Sequence, residues 1–381
     1  MNQDHHKDRV LLMAVLALLV IGSLMIYSAS AFWSADKNNN DYSLILKKHL
    51  MRVAAGLMLM FAVSRIDYHH YRRWTPHMLA CMGVLLVAVL ATPKFRGSSR
   101  VITLLWGRIH PAEYMKLIMV LYLASALARG VEFEKFGNKK LLVHFAVILG
   151  VTGLVLIEPD LGTAVVIFSA GLVMLLLAGT PADRLFKMVL SVIPLIFLGM
   201  SCNHYQRHRI VDFVQSKMHQ APLPYQIQHS LIALANGGLI GRGYGEGMAK
   251  NLYLPEPFSD FILATLGEEF GFLGICFLFV ILGVVLWRGT QIALRAPDRY
   301  GFLIAGGITS LLMVNALINA AVAMYLIPTT GLPFPFISYG GSSLFVYMAG
   351  MGILLNISGK TVATFHQFTT DRGRIRWPEV R

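Results

Sequence analysis

The chain has 381 residues, of which 56% are hydrophobic and 14% are charged, and its mean hydropathy is +0.60. Soluble globular proteins carry about 25% charged residues, so this composition excludes an ordinary soluble domain and predicts a polytopic membrane protein. The net charge of +13 does not indicate a nucleic-acid partner, because the Lys and Arg residues are scattered over many loops without a basic patch or a binding module.

Apolar runs predict about ten membrane-spanning helices, so the expected fold is all-α. A helix needs about 20 apolar residues to cross the hydrocarbon core. The first run ends in Ala29-Ser30-Ala31, which resembles a cleavage site, but its apolar part is longer than the roughly 7 to 15 residues of a signal peptide, and we expect an uncleaved helix. In chain order the predicted spans are 10–32, 49–65, 76–92, 111–128, 141–157, 161–179, 185–200, 258–287, 301–326 and 337–357.

The distribution of Lys and Arg predicts the orientation of these spans. An even number of spans puts both termini on one side, and most Lys and Arg residues of the short loops fall on that side. Cytoplasmic loops carry this excess of positive charge, so we expect both termini in the cytoplasm. Residues 1–358 then form one membrane domain, 201–257 a large extracytoplasmic loop between spans seven and eight, and 359–381 a cytoplasmic tail.

Charged residues lie where the fourth and sixth spans begin. In "HPAEYMKL", Glu113 and Lys116 are three residues apart and therefore share one face of a helix. In "EPDLGT", Asp160 follows a proline and precedes a predicted helix, so it can cap that helix. Alternatively, Glu113, Asp160 and Asp260 converge as three carboxylates, an arrangement suited to a general base or to a divalent cation.

The long loop contains both a cationic and an apolar element. Arg209 in "NHYQRHRI" lies near the predicted membrane edge, where a guanidinium group matches phosphate oxygens or simply contacts lipid headgroups. The segment "YQIQHSLIALANGGLIGRGYG" has Ile227, Leu231 and Leu234 at helical spacing, followed by glycines. This pattern predicts a helix and then a turn, lying against the membrane.

The segment "LPEPFSDFILATLGEEFG" puts acidic residues into an apolar span. Asp260 lies at its beginning and is either a cap or a functional carboxylate. Glu268 and Glu269 lie about 12 to 13.5 Å deeper at about 1.5 Å per residue. An isolated acid at that depth costs about 2.5 to 3.5 kcal/mol, so a partner is expected. Lys116 is the candidate, in an internal salt bridge or in a cavity for an anionic ligand.

The segment "TTGLPFPFISYGGSS" combines prolines and glycines with hydroxyl groups in the last span. Irregular backbone at membrane depth is tolerated where it lines a cavity or is buried in protein. The segment therefore indicates either a cavity wall or a kink without a ligand. Its candidate ligand-binding residues are Ser338, Tyr339, Ser342 and Ser343.

Four of these motifs, in this order, resemble those of the SEDS (shape, elongation, division and sporulation) family, which includes FtsW and RodA. They are "EPDLGTA", "YQIQHSLIALANGGLIGRGYG", "LPEPFSDFILATLGEEFGFLG" and "LPFPFISYGGSS". The resemblance covers residues 10–358, and "YSAS" and "PFISYGGSS" favour the FtsW branch. It implies a peptidoglycan glycosyltransferase of the bacterial inner membrane that polymerises lipid II for division or elongation. The implied partners are membrane lipids, a class B penicillin-binding protein and other divisome or elongasome proteins.

The resemblance also implies roles for individual residues. The essential acid of the family corresponds to Asp260, which we expect to act as the base in an inverting displacement of undecaprenyl pyrophosphate. Pyrophosphate is expected to be stabilised by Arg209, Lys116 and Lys250, with Mg or Mn as a possible cation. The other expected substrate-binding or supporting residues are Glu113, Asp160, Glu268, Glu269, Ser338, Tyr339, Ser342 and Ser343. The alternatives are a transporter that flips the same precursor and a non-catalytic scaffold.

Overall fold

The computed structural model describes residues 8–37, 41–91, 102–104, 107–129, 138–202, 204–218, 221–250, 254–255 and 257–360. These residues form a bundle of α-helices and one small β-hairpin. The strands are β1 (Ile102–Leu104) and β2 (Gly107–Ile109). The helices are α1 (Arg9–Lys37), α2 (Leu44–Val63), α3 (His69–Leu90), α4 (Pro111–Ala128), α5 (Asn138–Ile157), α6 (Leu161–Leu177), α7 (Ala182–Cys202), α8 (His204–Lys217), α9 (Tyr225–Gly237), α10 (Ile262–Leu294), α11 (Arg299–Ala323) and α12 (Gly341–Ser358).

The predicted polytopic membrane protein is confirmed in its general form. Six described helices are long and apolar enough to cross a membrane: α1 within Arg9–Ala31, then α3, α4, α10, α11 and α12. Two shorter apolar helices, Leu141–Ile157 and Leu161–Leu177, lie between them. Helices α1 to α7 and α10 to α12 occupy the positions of the ten predicted spans, and the exact number of spans stays a prediction.

The β-hairpin is a local departure from the expected all-α fold. Strands β1 and β2 pair antiparallel, with Ile102 opposite Ile109 and Leu104 opposite Gly107. The β-branched residues Ile102, Thr103 and Ile109 favour extended backbone. The hairpin directly precedes α4 and therefore lies next to the helix that carries Glu113.

The long loop contains α8 and α9, so its predicted helical content is confirmed. The apolar stripe of α9 packs against the beginning of α10 and the end of α11. Ile227 and Phe261 are both buried in this cluster, with Leu231 and Leu234 packed against it. Burial of this stripe fixes the loop to the bundle.

Helix α11 is central in the bundle and contacts α4, α6, α10 and α12. These four partners all begin at the same end of the bundle, which we call the site end. The irregular Pro-rich segment, residues 329–340, crosses the site end between α11 and α12. The predicted cytoplasmic tail lies almost wholly outside the described residues, which end at Lys360.

Candidate functional site

Asp260 lies in a turn immediately before α10 and is half-buried. Its Oδ1 accepts a hydrogen bond of 3.1 Å from the Ser259 hydroxyl, and a Cβ added at Gly331 would lie 3.5 Å from its Oδ2. The N-cap of α10 is Phe261, which makes no side-chain capping bond. The interpretation of Asp260 as the cap of this helix is therefore wrong, and its carboxylate instead faces the Pro-rich segment.

Ser338 and Tyr339 join the Pro-rich segment to the turn that carries Asp260. The Ser338 hydroxyl donates to the Ser259 carbonyl at 2.5 Å and accepts from the Phe334 N–H at 2.8 Å. The Tyr339 N–H donates to the Phe258 carbonyl at 2.8 Å. These bonds satisfy backbone groups that an irregular segment would otherwise leave unpaired, so both residues support the site.

Arg209 of α8 reaches the same segment from the long loop. Its Nη1 donates a hydrogen bond of 3.0 Å to the Thr329 carbonyl. Asp260 lies beside Gly331, two residues further along. The structure therefore brings the predicted acid and the predicted phosphate ligand to opposite ends of one short stretch of backbone.

Asp160 caps α6 at the edge of this site. Its Oδ1 accepts a 3.1 Å hydrogen bond from the Thr163 N–H, so the capping interpretation is confirmed. The first turn of α6 packs closely on the Pro-rich segment, since a Cβ at Gly162 would lie 2.9 Å from the Thr330 Cβ. The negative charge of Asp160 also interacts favourably with the positive end of the helix dipole.

Glu113 and Lys116 form a buried ion pair on α4. Lys116 Nζ lies 2.8 Å from Glu113 Oε2 and 3.5 Å from Asn315 Oδ1. Lys116 was expected to pair with Glu268 or Glu269, and this prediction is wrong. The spacing of three residues on one helix already gives Lys116 a carboxylate partner.

Glu269 of α10 instead pairs with Lys250, which lies in the long loop. The Lys250 Nζ lies 2.6 Å from Glu269 Oε1 and donates to the Ser28 hydroxyl of α1 at 2.7 Å. The Ser28 hydroxyl in turn donates to the same carboxylate oxygen at 2.5 Å. All three side chains are buried. The interpretation of Glu269 as part of an internal salt bridge is therefore confirmed.

Glu268 is also buried and bonds to the loop rather than to another span. Its Oε2 accepts from the Ala249 N–H at 3.0 Å, and its Oε1 lies 3.9 Å from Arg242 Nη1. Glu268 and Glu269, which the sequence placed deep in an apolar span, thus hold the long loop to α10.

Ser342 and Ser343 lie in the first turn of α12 and are both buried. The Ser342 hydroxyl accepts from the His110 N–H at 3.2 Å, which joins the beginnings of α12 and α4. Among the residues that the structure describes, no three His, Cys, Asp or Glu side chains come together in a way that could hold a metal ion. Glu113, Asp160 and Asp260 are therefore not gathered as ligands of one metal ion.

Sequence reasoning missed two asparagines of α11. Asn319 Nδ2 donates to the carbonyls of Asp260 at 3.0 Å and Leu332 at 2.5 Å. Asn315 Nδ2 donates to the Pro333 carbonyl at 2.8 Å. Two amides four residues apart in an apolar span were the available signal, because polar groups in spans tend to face the bundle interior.

An apolar groove of about 440 Å³ lies between α1 and α2. Its lining contains no carboxylate, histidine or cation, so it is not the site of acid–base chemistry. Such a surface suits a hydrocarbon chain. The lining residues are Leu16, Leu19, Val20, Ser23, Leu24, Tyr27, Leu46, Leu50, Val53 and Leu57.

Comparison with known proteins gives matches over nearly the whole chain. The model of a cell cycle protein family, FtsW/RodA/SpoVE, matches residues 9–362. The chain is 35% identical over 354 residues to a probable peptidoglycan glycosyltransferase FtsW of Trichlorobacter lovleyi, covering 92% of this chain and 93% of the relative. It is 36% identical over 355 residues to stage V sporulation protein E of Bacillus subtilis, covering 92% and 96%. Peptidoglycan glycosyltransferase MrdB of Escherichia coli is 34% identical over 358 residues, covering 92% and 93%.

Solved structures share the fold. One is a chain from a study of structural coordination of polymerization and crosslinking by a peptidoglycan synthase complex, with a TM-score of 0.75 and 24% identity, covering 94% of this chain and 99% of that one. Another is the rod shape determining protein RodA of Thermus thermophilus, with a TM-score of 0.69 and 24% identity, covering 93% and 98%.

Proposed function

The chain belongs to the FtsW/RodA/SpoVE family of cell cycle proteins, and we propose a mechanism by which this peptidoglycan glycosyltransferase extends glycan strands. It is a multi-pass membrane enzyme of peptidoglycan polymerisation in division or elongation. The donor that we propose is lipid II, a sugar pyrophosphate on a polyprenyl chain. The observation that carries the proposal is the position of Asp260, a half-buried carboxylate beside Gly331 at the site end of a membrane bundle.

Asp260 acts as the general base on the acceptor hydroxyl. The carboxylate takes the proton, the hydroxyl oxygen attacks the anomeric carbon, and the bond from that carbon to the pyrophosphate oxygen breaks. The pyrophosphate leaves with the bonding electrons. Since a single displacement inverts the anomeric centre, no second carboxylate is needed as a nucleophile. A positioned base of this kind contributes about 10² to 10⁴-fold to the rate.

Arg209 is the cation that we assign to the departing pyrophosphate. Its guanidinium lies at the Thr329 end of the stretch that Asp260 faces, and its planar fork suits phosphate oxygens. Lys116 and Lys250 each lie within 2.8 Å of a buried carboxylate, so their charges are largely compensated. We therefore place both lysines in support of the site rather than on the pyrophosphate.

We place the site end at the outer face of the bacterial inner membrane, with both termini in the cytoplasm. The support is the Lys and Arg distribution of the sequence together with the gathering of the site residues at one end of the bundle. The relation to a structure that concerns polymerisation and crosslinking in one complex supports a class B penicillin-binding protein as partner. Membrane lipids are the other contact that the apolar surface requires.

A divalent cation remains a proposal without an assigned site. The described residues offer no cluster of three ligands, whereas Mg²⁺ commonly binds through one or two carboxylates together with substrate phosphates. No step of the mechanism depends on the ion. Polymerisation measured with and without a chelator tests whether Mg or Mn takes part.

The test of the proposed function is polymerisation of lipid II by the purified protein in detergent, alone and with a class B penicillin-binding protein. We expect glycan strands and released undecaprenyl pyrophosphate. A transporter of the same precursor would move lipid II across vesicles without joining sugars. Transport without any glycan product, with or without the partner, would contradict the proposal.

A further inference from the structure

Asn319 connects the turn that carries Asp260 to the Pro-rich segment. Its side chain is 1% exposed, and one amide nitrogen donates to both the Asp260 carbonyl and the Leu332 carbonyl, at 3.0 and 2.5 Å. These two carbonyls belong to segments that are far apart in sequence. A single side chain on α11 thus holds both walls of the site.

The chemistry of the neighbours fixes the orientation of this amide. Both facing groups are carbonyl oxygens, which only accept hydrogen bonds, so the nitrogen must point toward them. An oxygen in its place would repel both carbonyls. The Asn319 Oδ1 is buried and has no hydrogen-bond partner among the described residues, which shows that the contacts of this side chain to the site are those of a donor.

Asn315 repeats the arrangement one turn earlier on the same face of α11. Its Nδ2 donates to the Pro333 carbonyl at 2.8 Å, and its Oδ1 lies 3.5 Å from Lys116 Nζ. The two asparagines therefore connect Lys116, the Asp260 turn and consecutive carbonyls of the Pro-rich segment. Because α11 packs against α4, α6, α10 and α12, its two asparagines hold these parts against one central helix.

We propose that Asn319 is a positioning residue, which sets the place of the Asp260 carboxylate by holding the backbone of that residue against Leu332. The inference rests on the proposed function, because it assumes that Asp260 performs the chemistry. A displacement of about 1 Å in a reacting group can cost about 100-fold in rate. Loss of the two hydrogen bonds should therefore lower kcat while the affinity for substrate changes little, since Asn319 is buried and bonds to backbone carbonyls.

Asn356 provides a matched control at the opposite end of the bundle. This buried residue of α12 also bridges two backbone groups, accepting from the Tyr68 N–H at 3.1 Å and donating to the Ser64 carbonyl at 3.1 Å. Asn319→Leu removes a bridging amide from α11, and Asn356→Leu removes one from α12. Neither substitution changes the size of the side chain greatly. Both variants should lose thermal stability, and only the first should lose activity per folded molecule.

The experiment measures kcat and KM of lipid II polymerisation by full-length protein, normalised to the monodisperse fraction. We expect Asn319→Leu to lower kcat by about 100-fold with little change in KM, and Asn356→Leu to leave both constants unchanged. In an Asp260→Glu background, where the carboxylate is already displaced, Asn319→Leu should cost a much smaller factor.

Each outcome separates the two proposals. Equal losses of kcat in both asparagine variants, or an unchanged kcat in Asn319→Leu, would overturn the positioning role while leaving polymerisation intact. The same factor in the wild-type and Asp260→Glu backgrounds would also overturn it, because Asn319 would then act independently of the acid. Absence of polymerisation by the wild-type protein would instead contradict the proposed function.

Discussion

Among single residues, the buried ion pair of Lys250 and Glu269 holds the long loop to α10. Both side chains are almost completely buried, 2.6 Å apart, and the Ser28 hydroxyl completes the group. A buried charge is costly unless it is paired. Removal of one partner therefore harms the protein more than removal of both.

We predict that Lys250→Met lowers the free energy of unfolding by about 3 to 5 kcal/mol, because it leaves Glu269 buried without its cation. The double variant Lys250→Met/Glu269→Leu should recover most of this loss. Thermal unfolding of the purified variants in detergent measures both effects. Equal stability of the single variant and the wild-type protein would show that the pair is exposed to water.

The sequence indicated that Glu268 and Glu269, deep in an apolar span, need partners. It did not indicate which cationic side chains would pair with them. Glu113 and Lys116 are close on one helix, so their pairing follows from spacing. The partner of Glu269 comes from a loop 19 residues earlier, and only the tertiary path of that loop brings it near. Asn315 and Asn319 were visible as polar residues in a span, but their acceptors are backbone groups that carry no sequence signal.

At the element scale, α10 is broken at Gly271, whose backbone is left-handed with φ 68° and ψ −166°. The break exposes backbone groups that the glycine-rich turn after α9 satisfies. The N–H groups of Arg242 and Gly243 donate to the carbonyls of Glu268 and Glu269, each at 3.0 Å. In a membrane, unpaired backbone groups cost several kcal/mol, so the turn and the break stabilise each other.

We predict that Gly271→Ala destabilises the protein by at least about 1 to 3 kcal/mol through backbone strain alone. The added Cβ would also lie 2.3 Å from the Gly241 nitrogen, which forces the turn away from α10. Thermal unfolding and limited proteolysis of the loop measure the two consequences.

Gly283→Ala is the control for this prediction. It lies on the same helix, where an added Cβ meets no atom within 4 Å. Alanine there should be neutral or stabilising by up to about 1 kcal/mol. If the two alanine variants unfold at the same temperature, the glycine-rich turn does not depend on the break in α10.

Long apolar runs predicted the spans, and an apolar stripe at helical spacing predicted α9. These patterns did not predict the break in α10, because a single glycine inside a helical span does not by itself indicate a break. The β-hairpin was also missed, since three-residue strands are too short to show a pattern.

At the scale of the whole molecule, a polar cluster closes the end of the bundle opposite the site. Asp67, between α2 and α3, forms an ion pair with Lys360 after α12 and accepts from the His69 N–H at 3.0 Å. His69 Nε2 lies 2.9 Å from Asp298 Oδ2, between α10 and α11. The α2–α3 loop, the α10–α11 loop and the segment after α12 are thereby joined, although they are distant in sequence.

The ion pair makes stability depend on pH in a defined direction. Burial alone would raise the pKa of Asp67, but the hydrogen bonds from Lys360 and His69 and the charge of Lys360 outweigh it and hold that pKa well below its usual range. The folded state therefore binds this proton less tightly than the unfolded state. The stabilisation is present above the usual aspartate pKa of about 3.9 and is lost as the pH falls through the lowered pKa.

We predict that Asp67→Asn lowers the melting temperature at pH 6, and that its difference from the wild-type protein shrinks as the pH falls below about 4. Asp183→Asn, an exposed aspartate at the beginning of α7, should show no such difference at either pH. If the difference in melting temperature between Asp67→Asn and the wild-type protein stays constant down to pH 3, the Asp67 carboxylate does not stabilise the protein through its negative charge.

Composition was enough to predict a polytopic membrane protein, because helices that cross the hydrocarbon core must consist mainly of apolar residues. The gathering of Asp260, Arg209 and the Pro-rich segment required the structure, since these parts come from three regions of the sequence and meet only through the packing of α8, α10 and α11.

The role of Asp260 as the base is tested by the rate at which the purified Asp260→Asn variant polymerises lipid II at saturating substrate, compared with the wild-type protein. Asparagine keeps the shape of the side chain and removes its basicity. We predict a loss of about 10² to 10⁴-fold in kcat, with lipid II binding and melting temperature close to wild type. A variant that polymerises at the wild-type rate would contradict the assignment of Asp260 as the base.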